Sequence, residues 1–310
     1  MGEIELVCTE LGPALELLRG SGFRLDVIYP ADSPSTAILT KNGATVRLTS
    51  EPGAALSDVL PPFEPDFVLT RASDGGGEGR AGMLYRDLIP SRLGGRYIAS
   101  HIRIPQGGPV SDWVHYHRVR FQMIYVRSGW VRVVYEDQGE PFAMRAGDLV
   151  LQPPEIRHRV LESSPGLEVV EIGCPALHPT FAEHEMALPN GRGDPARSFS
   201  GQRFLRHVAS DTPWTAFLAG EAQETGMDAA TGGLAKVRTI RSTGAPLAFA
   251  PHRGELVFGF VLGGSARLDY RGEHAIGAGD CFAMPPGQQW TVSGESTDFQ
   301  LLQVTTAALD

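Results

Sequence analysis

The chain has 310 residues, 42% of them hydrophobic and 20% charged, which supplies enough apolar material for buried cores and argues against wholesale disorder. A formal net charge of -9 excludes a nucleic-acid backbone or an anionic membrane as the main partner, while local arginines can still attract a small anion. Cys8, Cys174 and Cys281 are widely spaced and form no C-x-x-C pair, so neither a disulfide framework nor a thiolate zinc site is expected. The acidic start MGEIELVCTE lacks the basic and apolar regions of a signal peptide, and Leu6 breaks a myristoylation pattern. No apolar stretch reaches the roughly 18 residues of a membrane span. The expected location is the cytoplasm.

The first sixty residues read β-α-β-β-β. The strands are "GEIELVCTE", "FRLDVIYP", "TAILTKNG" and "TVRLTS"; the helix is "LGPALELLRG", with Leu11, Leu15 and Leu18 on one face. This order resembles a single module of the vicinal-oxygen-chelate (glyoxalase) type, a family whose modules work in pairs and draw metal ligands from their strands. No histidine precedes His101, so residues 1–60 are expected to be structural or dimerising. Residues 61–95 follow as a linker or arm containing the Gly-rich "RASDGGGEGRAG" (71–82).

From residue 96 the pattern is all β. Gly and Pro punctuate short period-2 runs, among them "RYIASHIRIP", "WVRVVYE", "GLEVVEIGC" and "GSARLDY". An internal repeat divides this part of the chain. "IYVRSGWVRVVYEDQGEPFAMRAGDLVLQPPEIRHRV" matches "GFVLGGSARLDYRGEHAIGAGDCFAMPPGQQWTV", pairing Tyr135 with Tyr270, Gly147 with Gly279 and Pro153 with Pro285. The expected units are a barrel over 96–178, a connecting segment over 179–232 and a second barrel over 233–310.

In "DWVHYHRVRFQMIYVRSG", His115 and His117 share a strand face, as two ligands of one ion must. Gln122 lies across a turn on the returning strand, and Ile124 and Val126 continue its face. "GDLVLQPPEIRHRV" is a strand and a Pro-Pro turn before His158, which such a turn brings back toward the same barrel. On the preceding strand His101 and Arg103 share parity. They are candidate substrate contacts, with Arg103 placed to pair with a carboxylate; a solvated or inter-subunit face is the other reading. No phosphate loop, G-x-S-x-G elbow or H-E-x-x-H occurs, and no organic cofactor site is read.

These spacings resemble the two cupin motifs. The first motif runs His-x-His, a glutamate after three or four residues and a glycine after six more. His115, His117, Gln122 and Gly129 fit it, with glutamine in the place of glutamate. The second motif runs Gly, five residues, Pro-x-Gly, two residues, His. Gly147, Pro153, Glu155 and His158 fit it, with Glu155 where glycine is usual. The resemblance implies a mainly β chain, two tandem cupin (jelly-roll) barrels preceded by the small βαβββ module. It implies one divalent transition-metal ion per chain, held by His115, His117, His158 and Gln122. Fe(II) is favoured, and Zn, Ni, Mn and Cu remain open. In the second copy the equivalent positions are Ala250, His252, Val257 and Trp290, so that barrel is expected to be degenerate and metal-free. His252 and Glu255 read as a hydrogen-bonded or solvated pair. Cupin barrels pair at their edges, which implies a homodimer.

Three imidazoles and an amide are neutral, so the ion would keep its charge and favour a small anionic chelating substrate. Bicupin ring-cleaving dioxygenases of the gentisate type resemble this plan. The resemblance implies an Fe(II) three-histidine dioxygenase cleaving a small chelating hydroxy-aromatic or enolisable acid. Two other readings stand: a redox-neutral Zn or Ni isomerase, lyase or cyclase, and a non-catalytic small-molecule-binding cupin.

Overall fold

The computed structural model describes residues 3–52, 59–78 and 83–308. The first two residues of the chain, residues 53–58 of the first module and the last four of the Gly-rich stretch lie outside the described residues. The N-terminal elements are the strand Glu3–Val7, the helix Leu11–Gly20 and the strands Arg24–Tyr29, Thr36–Lys41 and Ala44–Thr49. The helix lays Leu11, Leu15 and Leu18 on a small core with Ile28, Ala37, Leu39 and Leu48. Glu3–Val7 runs parallel to Ala44–Thr49, and the other pairs are antiparallel. The sheet continues beyond the module. Arg24–Tyr29 pairs with Thr180–Ala182, which pairs in turn with His115–His117. One ten-stranded sheet thus joins the module to the first barrel.

In that barrel one wall is built from His115–His117, His158–Ser163, Trp130–Tyr135 and Phe142–Arg145. The facing wall contains Leu149–Leu151, Phe121–Ser128, Leu167–Cys174, Ile98–Ile104 and Leu84–Asp87. Val126, Val131, Val133, Met144 and Leu167 pack between the walls. The second barrel repeats the plan around Ile240, Val261, Leu268, Phe282 and Val292. Trp290, at the position equivalent to His158, stacks on Phe249 with ring centroids 3.7 Å apart and fills that interior. The backbone shows the repeat directly. Gly129 and Gly264 have φ of 78° and 69°, and Gly147 and Gly279 have 94° and 91°. Glu155 stands at φ 63° where its counterpart Gly287 has 73°. A left-handed glutamate costs on the order of 1 kcal/mol, which is why the motif usually places glycine there.

Residues 61–95 and 179–232, expected as an arm and a connection, contribute strands. Val68–Thr70 pairs with Cys281–Ala283 of the second barrel, and Leu205–His207 pairs with Leu149–Leu151 of the first. Each barrel therefore takes a strand from the segment that precedes the other. Both strands cover a sheet edge, which recruits short segments that show little strand pattern of their own.

The outer faces of the two seven-stranded sheets meet. Phe121, Met123, Tyr125, Leu151 and Ile172 from the first barrel share one core with Val237, Phe258, Phe260, Leu302 and Val304 from the second. Arg96 donates to both oxygens of Glu255, at 2.9 and 2.7 Å, and the Tyr97 hydroxyl bonds Glu255 at 3.0 Å. Glu255 is thus committed to the junction, while His252 is bonded to the Thr306 carbonyl at 2.8 Å. Burial pushes the Cys174 and Cys281 thiols up to about 12, so both behave as apolar filling.

A shared core predicts that the barrels unfold together. Phe258→Ala should cost about 3–5 kcal/mol and lower the temperature of a single calorimetric transition. Two resolved transitions, only one of them shifted, would show that the barrels are energetically independent.

Candidate metal centre

His115–His117 is a three-residue strand. Its middle residue, Tyr116, stacks on Phe181 with centroids 5.1 Å apart. His115 and His117 take the other face and are 5% and 8% exposed. His115 and His158 are direct partners in an antiparallel pair, so their rings lie 4.3 Å apart. One ligand atom from each of His115, His117 and His158 falls within 4.8 Å of the other two. Among the described residues this is the one group of three such side chains close enough to share an ion.

Each ring is oriented through Nδ1. His115 Nδ1 donates to the Trp113 carbonyl at 2.7 Å and lies 3.5 Å from Asp112 Oδ1. His158 Nδ1 donates to the Ile156 carbonyl at 3.0 Å, and His117 Nδ1 meets Thr180 Oγ1 at 3.2 Å. A ring that donates from Nδ1 keeps its lone pair on Nε2, the tautomer a metal ion needs.

Gln122 is 2% exposed and lines the same cavity. Its Nε2 donates to Glu171 Oε1 at 2.6 Å. An ionised carboxylate only accepts, so this bond fixes which end of the amide is which. The remaining oxygen, Oε1, is buried without a hydrogen-bond partner. A buried acceptor in that state is costly unless a ligand, water or ion meets it. Imidazole lone pairs together with an orphaned amide oxygen suit a divalent first-row ion, so the residues fit one.

The cavity measures about 160 Å³. Much of its wall is apolar: Ile98, Ile102, Ile124, Val131, Val133 and Val169. Its polar groups include Asp32, Asp112, Glu171 and His178, and among the described residues no lysine or arginine lines it. His178 is 3% exposed, with its ring edge-on to His117 at 5.4 Å. Its Nδ1 bonds the Pro175 carbonyl at 3.0 Å, and its Nε2 is buried without a partner. Burial pushes the His178 pKa down, so the ring is neutral at pH 7. Asp32 comes from the N-terminal module. Arg92 holds its Oδ2 at 2.8 Å, and its Oδ1 is buried and unpartnered.

His101 and Arg103 do not reach this cavity, which corrects their assignment as substrate contacts beside the metal. On Ile98–Ile104 it is Ile98, Ser100, Ile102 and Ile104 that line it. Three isoleucines decide which parity turns inward; the opposite face buries His101 against Phe260 of the second barrel and leaves Arg103 exposed. His101 instead bonds Glu168 Oε2 at 3.0 Å on the outer face.

Four polar residues of the site went unread in the sequence. Glu171 had a local signal, since it shares the parity of Leu167 and Val169 in "GLEVVEIGC". Asp112 stands three residues before His115. Asp32 and His178 had none, because their approach depends on Arg24–Tyr29 pairing with Thr180–Ala182. Two carboxyl groups, Glu171 and Asp112, thus stand beside the neutral donor atoms.

A family model described as a cupin domain matches residues 100–172. No curated protein sequence matches the chain. Several solved structures share the fold. Oxalate decarboxylase from Bacillus subtilis is 12% identical with a TM-score of 0.55, over 84% of this chain and 80% of that one. Salicylate 1,2-dioxygenase from Pseudaminobacter salicylatoxidans is 17% identical with a TM-score of 0.54, over 80% and 86%. Protein Ylba from E. coli is 12% identical with a TM-score of 0.54, over 81% and 95%. At such identities the likeness speaks for the fold alone. Residues 100–172, the stretch that holds His115, His117 and His158, thus match a cupin domain, and the solved structures share the two-barrel fold around it.

Proposed function

We propose that the protein is a mononuclear metal enzyme, an Fe(II)-dependent dioxygenase cleaving a small hydroxy-aromatic or enolisable substrate that chelates through two oxygens. The observation that carries this reading is the convergence of three buried imidazoles and an unpartnered amide oxygen on one cavity with a largely apolar wall. The same fold serves a salicylate 1,2-dioxygenase, which supports an oxygen-dependent reaction. His115, His117 and His158 would hold the ion, and Gln122 would offer its amide oxygen to the ion or to a water. When bound, iron supplies a Lewis-acidic, redox-active centre, and both atoms of O2 end in the products.

The protein's own residues bind and orient. Ile98, Ile102, Val131 and Val169 hold the body of the substrate and exclude water. Glu171, 2.6 Å from the Gln122 amide, is the carboxylate placed to take the proton that an enol or phenol loses on chelation. With no cation in the lining among the described residues, the substrate's negative oxygens are the chelating ones, and a further free carboxylate is disfavoured. Asp32 Oδ1 and His178 Nε2 are both acceptors, which suits a hydroxyl or N–H on the substrate.

A redox-neutral isomerase, lyase or cyclase using zinc or nickel is the second reading. Glu171 and Asp112 favour it, because carboxylates beside the ligands can move a proton with no oxidant.

Protein purified without added metal is expected to hold about one first-row ion per chain. His115→Ala and His158→Ala should each lose that ion in metal analysis, together with about a thousandfold or more of kcat/KM. An oxygen electrode is expected to record one O2 consumed per substrate cleaved. Turnover at full rate under argon would reject the dioxygenase and leave the redox-neutral reaction. Glu171→Gln should lower metal affinity or turnover by about 10–100-fold without unfolding the protein. Gln122→Glu places two carboxylates in contact and should cost about 1–3 kcal/mol in chemical denaturation. The exchanged pair, Gln122→Glu with Glu171→Gln, should recover most of that loss; no recovery would mean the two side chains are not coupled.

A further inference from the structure

We propose that a recess between the two barrels, across the Ile98–Ile104 strand from the metal cavity, binds a small oxyanion, a carboxylate or a phosphate. The recess measures about 340 Å³. Its wall includes Arg86, His101, Arg103, Arg127 and Glu168 of the first barrel and Gly279 of the second.

Arg86 carries the argument. It is 7% exposed. Its guanidinium donates to the carbonyls of Arg71 and Gly279, both at 2.7 Å, and approaches His101 Nδ1 at 3.4 Å. None of these partners carries a negative charge. His101 accepts from Arg86 on Nδ1 and donates from Nε2 to Glu168. Burial holds His101 well below the usual imidazole range, at about 4, so it is neutral. Asp74 and Asp280 favour the charged Arg86 electrostatically, but neither is hydrogen-bonded to its guanidinium, and both are bonded to Arg71. Asp280 pairs with Arg71 at 3.0 Å, and Asp74 accepts from the Arg71 amide. A buried guanidinium bonded to no carboxylate is under-compensated, and a bound anion offsets that cost.

The other arginines make the recess fit such an anion. Arg127 pairs with Glu168 at 2.7 Å, which leaves part of its donor fork for a second acceptor. Arg103 is exposed, and its side chain makes no hydrogen bond or ion pair among the described residues. Three guanidiniums face the carboxylates of Glu168 and Asp74, so the recess is positive within a chain of net charge -9. Planar forks of this kind bind carboxylate or phosphate oxygens in pairs. The volume admits a short dicarboxylate or a phosphate and excludes a polymer. A ligand here touches both barrels and the outer face of a strand whose inner face lines the metal cavity.

Calorimetric titration of the full chain with inorganic phosphate and with malonate, at constant ionic strength and with chloride as control, tests the proposal. A metal ion in the other cavity also takes such anions, so each titration is repeated after EDTA treatment. The expected result is saturable binding of at least one of the two anions that survives EDTA and weakens about tenfold in Arg103→Ala and in Arg127→Ala. Arg103 is exposed, so its variant keeps the fold, which circular dichroism verifies. Which anion binds identifies the class. Binding that is absent for both anions, disappears with EDTA, or is unchanged in both variants overturns the proposal.

Discussion

The alternation of one strand, Phe121–Ser128, sets the geometry on which the rest of the molecule depends. Its even-numbered positions Gln122, Ile124 and Val126 face into the first barrel, while Phe121, Met123 and Tyr125 face the second. A slip of one residue would exchange these sets, putting an amide into an apolar core and a phenyl ring into the metal cavity. Its register is held on one side by Leu167–Cys174 and on the other by Leu149–Leu151. The second barrel, its own interior filled by Trp290 and Phe249, therefore serves the site from outside. It supplies the apolar surface against which the strand carrying Gln122 is pressed.

Charge at the site is divided between two sets of groups. The atoms that face the cavity from His115, His117, His158 and Gln122 are neutral donors. Beside them in the same wall, Glu171 holds the amide of Gln122, and Asp112 lies next to the ring of His115. This neutrality, with negative charge beside it, keeps strong anionic donors off the ion while limiting its excess charge. It also explains why glutamine is at home where glutamate is the usual residue. A glutamate at this position would meet Glu171.

Much of this was legible in the sequence because it is local. The His-x-His pair, the turn before His158 and the β-α-β-β-β order each depend on spacing within a few tens of residues, and the repeat of Gly147 in Gly279 is a local pattern that recurs. Parity alone, however, tells which residues share a face and not which face turns inward. His101 and Arg103 were placed together correctly but on the wrong side of their strand, because Ile98, Ile102 and Ile104 claim the interior. Pairing between distant segments was not legible at all. Val68–Thr70 and Leu205–His207 carry little pattern, and only the open edges they cover make them strands. His178 and Asp32 are invisible for the same reason.

The strand Thr180–Ala182 lies between Arg24–Tyr29 on one side and His115–His117 on the other. Its neighbour Asp32, anchored by Arg92, brings a module encoded at the far N-terminus into the wall of the cavity. The groups that would hold an ion and the Asp32 carboxylate in the same cavity wall thus belong to separately encoded pieces of chain. A substitution confined to Asp32 would therefore alter one wall of the cavity and leave His115, His117, His158 and Gln122 where they are, much as a lathe keeps its drive when the chuck is changed.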